Sequence, residues 1–363
     1  MAFDPNDEDY QRLSLQFARS LDGGDAGSVV RAFASFGHRF AQDHDSLPQT
    51  DEDRAFHLVA LATMAIDYQL PFTEDDEQAT KLIERGHRLL DEALALDPDC
   101  ADALRMKRAS ELAGFDAYFD FLHEGEADVR ARCEERRNQA LAADEGERAE
   151  LGANLAMRPY LRWLAMEAEK ALICGRNRQC LRICERALEA DPHDMADVRF
   201  TAALAHAKLE DAAGLEALAA RSATLGVPRR HEGADAWTLL ARVSIAHSRH
   251  LPDEATRLMR TILDTYPHAA ATLSLQHELP DGVFSRLAVP PYSEDELILA
   301  TSEATVLFQE GRDRSDRGAL GSWVADEAEQ LDPADVRMIR AYERGANARS
   351  GHARPGSPDG GDR

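Results

Sequence analysis

The sequence predicts an all-α fold of helices joined by short turns. Apolar residues recur at three-and-four spacing along most of the chain, the period of a helix with one buried stripe. Alternating β-branched runs, which would mark strands, are missing. Proline, glycine and Asp-Pro steps fall where a periodic segment has to stop.

In chain order, the periodic segments cover Tyr10 to Leu21, Val29 to Phe40, Phe56 to Leu70, Ala79 to Leu96, Ala101 to Phe121 and Leu161 to Ile173. The punctuation between and beyond them is Gly23-Gly24 with Asp25, Pro48, Pro71, Asp97-Pro98, Asp191-Pro192, Pro228, Pro252, Pro267 and Pro290-Pro291. From Arg130 to Glu150 a charge-dense stretch with an Ala-Leu-Ala centre reads as a solvated helix running into a loop at Asp144 to Gly146. Ser315 to Ala346 is helix-compatible, with a break at Leu331-Asp332-Pro333 and a mildly basic helix carrying Arg337, Arg340 and Arg344. It is placed to cover the last apolar face of an array. The closing NARSGHARPGSPDGGDR has almost no apolar content and is expected to be disordered. This gives a helical N-terminal region or cap over 1–74, a repeat array over 75–314, capping helices over 315–346 and a tail over 347–363.

With 363 residues the chain can bury a sizeable core, as two domains or one extended array. A formal net charge of −24 argues against binding nucleic acid or an anionic membrane, because attraction to phosphate supplies most non-specific affinity. Lysine occurs only at Lys81, Lys107, Lys170 and Lys208, while arginine and alanine are abundant, which reads as a GC-rich bacterial coding bias or an acid-rich halophile. The start, MAFDPNDEDY, has neither the positive segment nor the apolar segment of a signal peptide, and no apolar run approaches membrane-spanning length. A soluble cytoplasmic protein with five reduced cysteines is expected.

Two stretches, RLLDEALALDPDCADALRMKRA and CLRICERALEADPHDMADVRFTAAL, share one frame: a helix, Ala-Leu, a two-residue gap, Asp-Pro, and a second helix. This resembles the junction between units of the tetratricopeptide repeat family, whose unit of 34 residues sets small, bulky and small residues ahead of a closing proline. With Pro192 as that proline, Cys180, Cys184 and Ala187 take the three sites, Leu164, Ala168 and Ala171 pack from the preceding helix, and Gly175 takes the turn. Pro98 gives the matching set Gly86, Leu90 and Ala93. One unit onward come Val198, Ala202, Ala205, Gly214 and Leu218, without a closing proline. Trp237, Leu240 and Ala241 open a further unit that ends in Ala255, Met259, Ile262 and Pro267, with two extra residues around Pro252. The resemblance implies a helical-hairpin solenoid, a right-handed superhelix of antiparallel pairs. RPYLRWLAMEAEKAL, EADPHDMADVRFTAALA and YPHAAATLSL also resemble a bacterial group of repeat proteins similar to the suppressor of tumorigenicity 7 family, across Arg158 to Glu310. That group brings no catalytic residue.

Cys174, Cys180, Cys184 and His193 lack the paired C-x₂₋₄-C spacing of structural zinc, so core packing of the thiols is expected. His247 and His250, three apart, would need a carboxylate such as Asp253 to hold a metal, and capping of a helix end is the simpler role. His231-Glu232 and His277-Glu278 lack the second histidine of a zinc-protease helix, and no phosphate loop, dinucleotide fingerprint or nucleophile elbow occurs. Carboxylate pairs such as Asp75-Asp76 and Asp51 with Asp53 read as solvated faces. No catalytic residue, metal or cofactor is expected.

A non-catalytic scaffold or adaptor is therefore expected, with another protein's peptide or helix in the concave groove. The repeat frame places Arg158 at the edge of that groove and Arg162, Arg199 and Arg242 on its wall, beside small residues such as Ala165 and Ala203. Guanidinium groups there suit an acidic segment. The lysine and asparagine pairs of the family's chaperone-binding clamp are absent. A metal-binding or regulatory protein, or an accessory subunit of an enzyme complex, stands as the alternative.

Overall fold

The structure, a computed structural model, describes residues 4–21, 25–73, 75–227, 230–279, 289–311 and 317–350. The Gly23-Gly24 turn, Pro228 and the end of the tail, 351–363, lie outside them. Among the described residues there are seventeen α-helices and no strand. None of these helices is long and apolar enough to cross a membrane. The chain divides into two compact units, one of Met1–Leu209, Ala213–Arg230 and Pro280–Val289, the other of Glu210–Ala212, His231–Leu279 and Pro290–Arg363.

The first unit carries α1 (Pro5–Ser20), α2 (Ala26–Gln42), α3 (Asp51–Thr63), α4 (Asp76–Leu96), α5 (Ala101–Glu111), α6 (Phe115–Ala143), α7 (Glu147–Ile173), α8 (Asn177–Ala190), α9 (Val198–Lys208) and most of α10 (Ala212–Ser222). Side-chain caps set several starts: Asp4 accepts from Asn6 N at 2.8 Å, Asp75 accepts from Gln78 N at 2.7 Å, and Thr50 and Asp53 form a capping box on α3. Each cap is worth about 1 kcal/mol. Asp53 is thus buried, not on a solvated face as its spacing suggested, while Asp51, Asp75 and Asp76 are exposed.

Sequence and structure part company at two boundaries. The single helix read from Ala101 to Phe121 breaks after Glu111, where Leu112 is extended and Gly114 adopts φ 108°, a conformation that costs other residues dearly. The helix ending at Ile173 begins at Glu147 and holds Pro159 in its interior. Packing along its whole length explains this tolerance, since α7 lies on α6, α5, α8 and α1. The loop at Asp144 to Gly146 falls where expected and turns α6 back on α7. Their antiparallel register is fixed by Trp163 Nε1 donating to Leu122 O at 2.8 Å, Tyr160 Oη to Glu126 at 3.1 Å and His123 meeting Glu167 at 2.8 Å.

The core follows most of the small and bulky positions read from the sequence; Gly214 and Leu218 are exceptions, only partly buried, and Leu215 takes the buried face of α10 instead. Gly86, Leu90 and Ala93 are the buried residues of α4, and Cys180, Cys184 and Ala187 are buried on α8. Leu164, Ala168 and Ala171 are fully buried on α7. Gly86 has no room for a side chain, because a Cβ there would sit 2.5 Å from Ile66 Cδ1.

The second unit comprises α11 (Ala236–Ser248), α12 (Pro252–Thr265), α13 (Ala269–Leu275), α14 (Glu294–Glu303), α15 (Thr305–Phe308), α16 (Ala319–Leu331) and α17 (Pro333–Ser350). Trp237, Leu240 and Ala241 of α11 and Ala255, Met259 and Ile262 of α12 are buried. A carboxylate ties this unit together. Glu296 accepts from Tyr266 Oη at 2.7 Å, His231 Nε2 at 2.9 Å and the Ala236 and Tyr292 amides. Burial pushes its pKa up, but these donors outweigh it and hold the carboxyl below its ordinary value.

Candidate functional site

Three of the four arginines expected on a groove wall are buried on carboxylates of the chain itself. Arg162 is fully buried; its Nη1 meets Glu8 at 2.6 Å, and its Nε and Nη2 grip Asp102 at 2.8 and 2.5 Å. Glu8 also accepts from Arg12 at 2.8 Å, and Arg158 Nη1 lies 3.5 Å away while its Nη2 donates to Gln11 at 2.7 Å. Burial would raise the Glu8 pKa, but Arg162, Arg12 and Arg158 together hold it at about 2. Arg199 bonds Asp194 and Asp197 at 2.7 and 2.8 Å and stacks over Phe200 at 4.0 Å. Arg242, in the other unit, is partly buried. An incoming acidic segment would therefore compete with in-chain partners at Arg158, Arg162 and Arg199.

The other expected positions are scattered. Cys180 and Cys184 are buried, Cys174 is partly exposed, and His193 hydrogen-bonds Gly226 O at 3.0 Å. His247 rests 5.2 Å from the Trp323 ring, with burial pushing its pKa down, while His250 is exposed. Among the described residues, the groups that bring three metal-ligating side chains together are Asp9, His44 and His57, and His123, Glu126 and Glu167. In the second, Arg186 already grips Glu126 through two bonds, at 3.1 and 2.7 Å.

A cleft of the first unit arises from a feature the sequence did not announce. After α3 the backbone widens into a π-helical turn, Met64–Gln69, before Pro71 ends the helical path. Such turns are rare and frequent at functional sites. This one holds Ile66 and Asp67 at a cleft of about 690 Å³, with Ile83, Met106, Phe115 and Lys170 also in its wall. Ile83 and Phe115 are exposed at 40% and 53%, an apolar lip on water. Lys170, bonded to Glu169 at 2.7 Å, lies 5.1 Å from the Phe115 ring. Burial pushes the Asp67 carboxyl up to about 6, with the field of Arg105 opposing. A partly buried carboxylate, opposed by Arg105 and set beside exposed apolar surface, suits an apolar group flanked by a cation.

No family model and no curated protein matches the chain.

Proposed function

We propose that this chain is a non-catalytic scaffold or adaptor, a tetratricopeptide-like solenoid that holds a peptide or helix of another protein. The cleft around Asp67 is the observation that carries the binding reading. Its exposed Ile83 and Phe115 suit an apolar anchor residue, and Asp67 suits a neighbouring lysine or arginine in the partner. The chain's net charge of −24 favours the approach of such a basic segment. In-chain pairing of Arg158, Arg162 and Arg199 weighs against the acidic segment expected from sequence.

The repeat reading is supported by burial at equivalent positions of two separate units: Gly86 and Cys180, Leu90 and Cys184, Ala93 and Ala187 are all inaccessible. Arginine in place of lysine, together with an odd number of cysteines lacking disulfide-framework spacing, supports a bacterial cytoplasmic setting. Affinity purification from the native cell tests the function. The wild-type chain should retain a partner that the Ile83→Asp, Phe115→Asp double variant loses while keeping its helical content. An identical partner set on both chains contradicts the proposal.

A further inference from the structure

Three side chains far apart in the sequence converge in the first unit. Asp9 comes from α1, His44 from the 3₁₀ turn His44–Ser46 that follows α2, and His57 from α3. Both imidazoles address one oxygen: His44 Nε2 is 3.1 Å and His57 Nδ1 2.7 Å from Asp9 Oδ2. The two rings stack at 3.7 Å between centroids, inclined by 25°. Asp9 is 2% exposed, and its second oxygen, Oδ1, is buried without a hydrogen-bond partner, as is His44 Nδ1.

This is a poor way to build a hydrogen-bonded clamp. Two donors crowd one oxygen while its twin stays unsatisfied, at a cost of about 1–3 kcal/mol for an orphaned buried group. It is a good way to focus lone pairs. The three donor atoms lie within 4.8 Å of one another. A tetrahedral ion with bonds of about 2.0–2.1 Å keeps its ligands roughly 3.3 Å apart, so small side-chain shifts would seat it. A divalent charge would also attract the unpartnered Oδ1 of Asp9 in a chain rich in negative charge.

We infer that Asp9, His44 and His57 form a binding site for a divalent transition-metal ion of the zinc class. Two imidazoles and a carboxylate select zinc and its first-row neighbours over calcium and magnesium, which take oxygen sets. His44 and His57 keep 15% and 27% of their side-chain surface exposed, which gives the ion access and leaves a coordination position for water. His44 Nδ1 lacks the carbonyl or carboxylate that usually braces a ligating imidazole. Loss of such a brace typically weakens binding by about 10–100-fold, which sets an expectation of micromolar rather than nanomolar affinity.

The test uses the full chain, free of any histidine tag and dialysed against a chelator, titrated with zinc chloride by calorimetry and with cobalt(II) chloride by visible absorption. One equivalent should bind per chain, the cobalt complex should show ligand-field bands, and His57→Gln should weaken zinc at least tenfold. Zinc at a hundredfold excess over its dissociation constant should raise the thermal midpoint reported by Trp163, in a Trp237→Phe, Trp323→Phe background, by roughly 5–10 °C. Glu167→Gln, in the other donor cluster, should leave binding unchanged. The wild-type titrations need no substitution, so a variant that fails to fold leaves the test standing. The inference is overturned if the wild-type chain binds no stoichiometric zinc, if a folded His44→Gln, His57→Gln double variant binds it undiminished, or if Glu167→Gln loses it instead.

Discussion

Replacing Glu8 by glutamine should destabilise the first unit by about 3 kcal/mol at neutral pH. Arg12, Arg158 and Arg162 all face this fully buried carboxylate, and glutamine keeps its shape while removing its charge. The carboxyl sits at about 2 against an ordinary 4.5, a displacement of roughly 2.5 pH units that at about 1.36 kcal/mol each corresponds to about 3 kcal/mol. Loss of one partner from a buried ion pair costs a similar 3–5 kcal/mol or so. Because the folded pKa is depressed, this stability is present in full above about pH 5 and drains away as pH falls towards 2. Trp163 is the one tryptophan of the first unit, so a Trp237→Phe, Trp323→Phe background lets fluorescence report that unit alone. With a urea dependence of roughly 2–3 kcal/mol per molar, the midpoint should fall by about 1–1.5 M at pH 7, and the gap should close as pH approaches 2. A midpoint change under about 0.3 M, or a gap that persists at pH 2, would refute the ion-pair reasoning.

Other outcomes follow from particular residues. Asp67→Asn should stabilise the chain by about 1–2 kcal/mol above pH 6.5 and not at pH 4, since a folded pKa raised to about 6 makes the wild-type carboxyl lose stability as pH rises from about 4; pH-resolved urea titration checks this. A thiol reagent should modify Cys174 first, with buried Cys100, Cys133, Cys180 and Cys184 reacting only as the chain unfolds; rapid modification of Cys180 or Cys184 in the folded chain would contradict the packing. Gly86→Ala should cost about 1–3 kcal/mol despite alanine's better helix propensity, because its Cβ collides with Ile66; unfolding at 222 nm by circular dichroism reads the sign.

The helices were largely legible because their signals are local. A stripe such as Leu90-Ala93 and a stop such as Asp97-Pro98 act within a few residues, and the structure ends α4 at Leu96 accordingly. The break at Gly114 was missed because the apolar period runs through it, and the Pro159 helix because only its neighbours justify it. The sites were much less legible. Arg162 occupies a helix position that an array could present to solvent, and nothing nearby in sequence shows that Glu8 and Asp102 come to meet it. In so acidic a chain, Glu8, Asp9 and Asp102 read as three more solvated carboxylates. Their burial is decided by tertiary packing of α1 against α3 and α7, and of α5 against α3 and α7. The π-turn at Asp67 and the convergence of Asp9, His44 and His57 likewise have no short-range signature.

Site-specific photocrosslinking in the native cell tests the proposed scaffold role most directly. A photoreactive phenylalanine analogue at position 83, on the lip of the cleft, should yield one discrete adduct with another protein, and the yield should fall when Phe115→Asp is added. Adducts that form from position 242 but not from position 83 would move the binding surface back to the arginines and contradict the account.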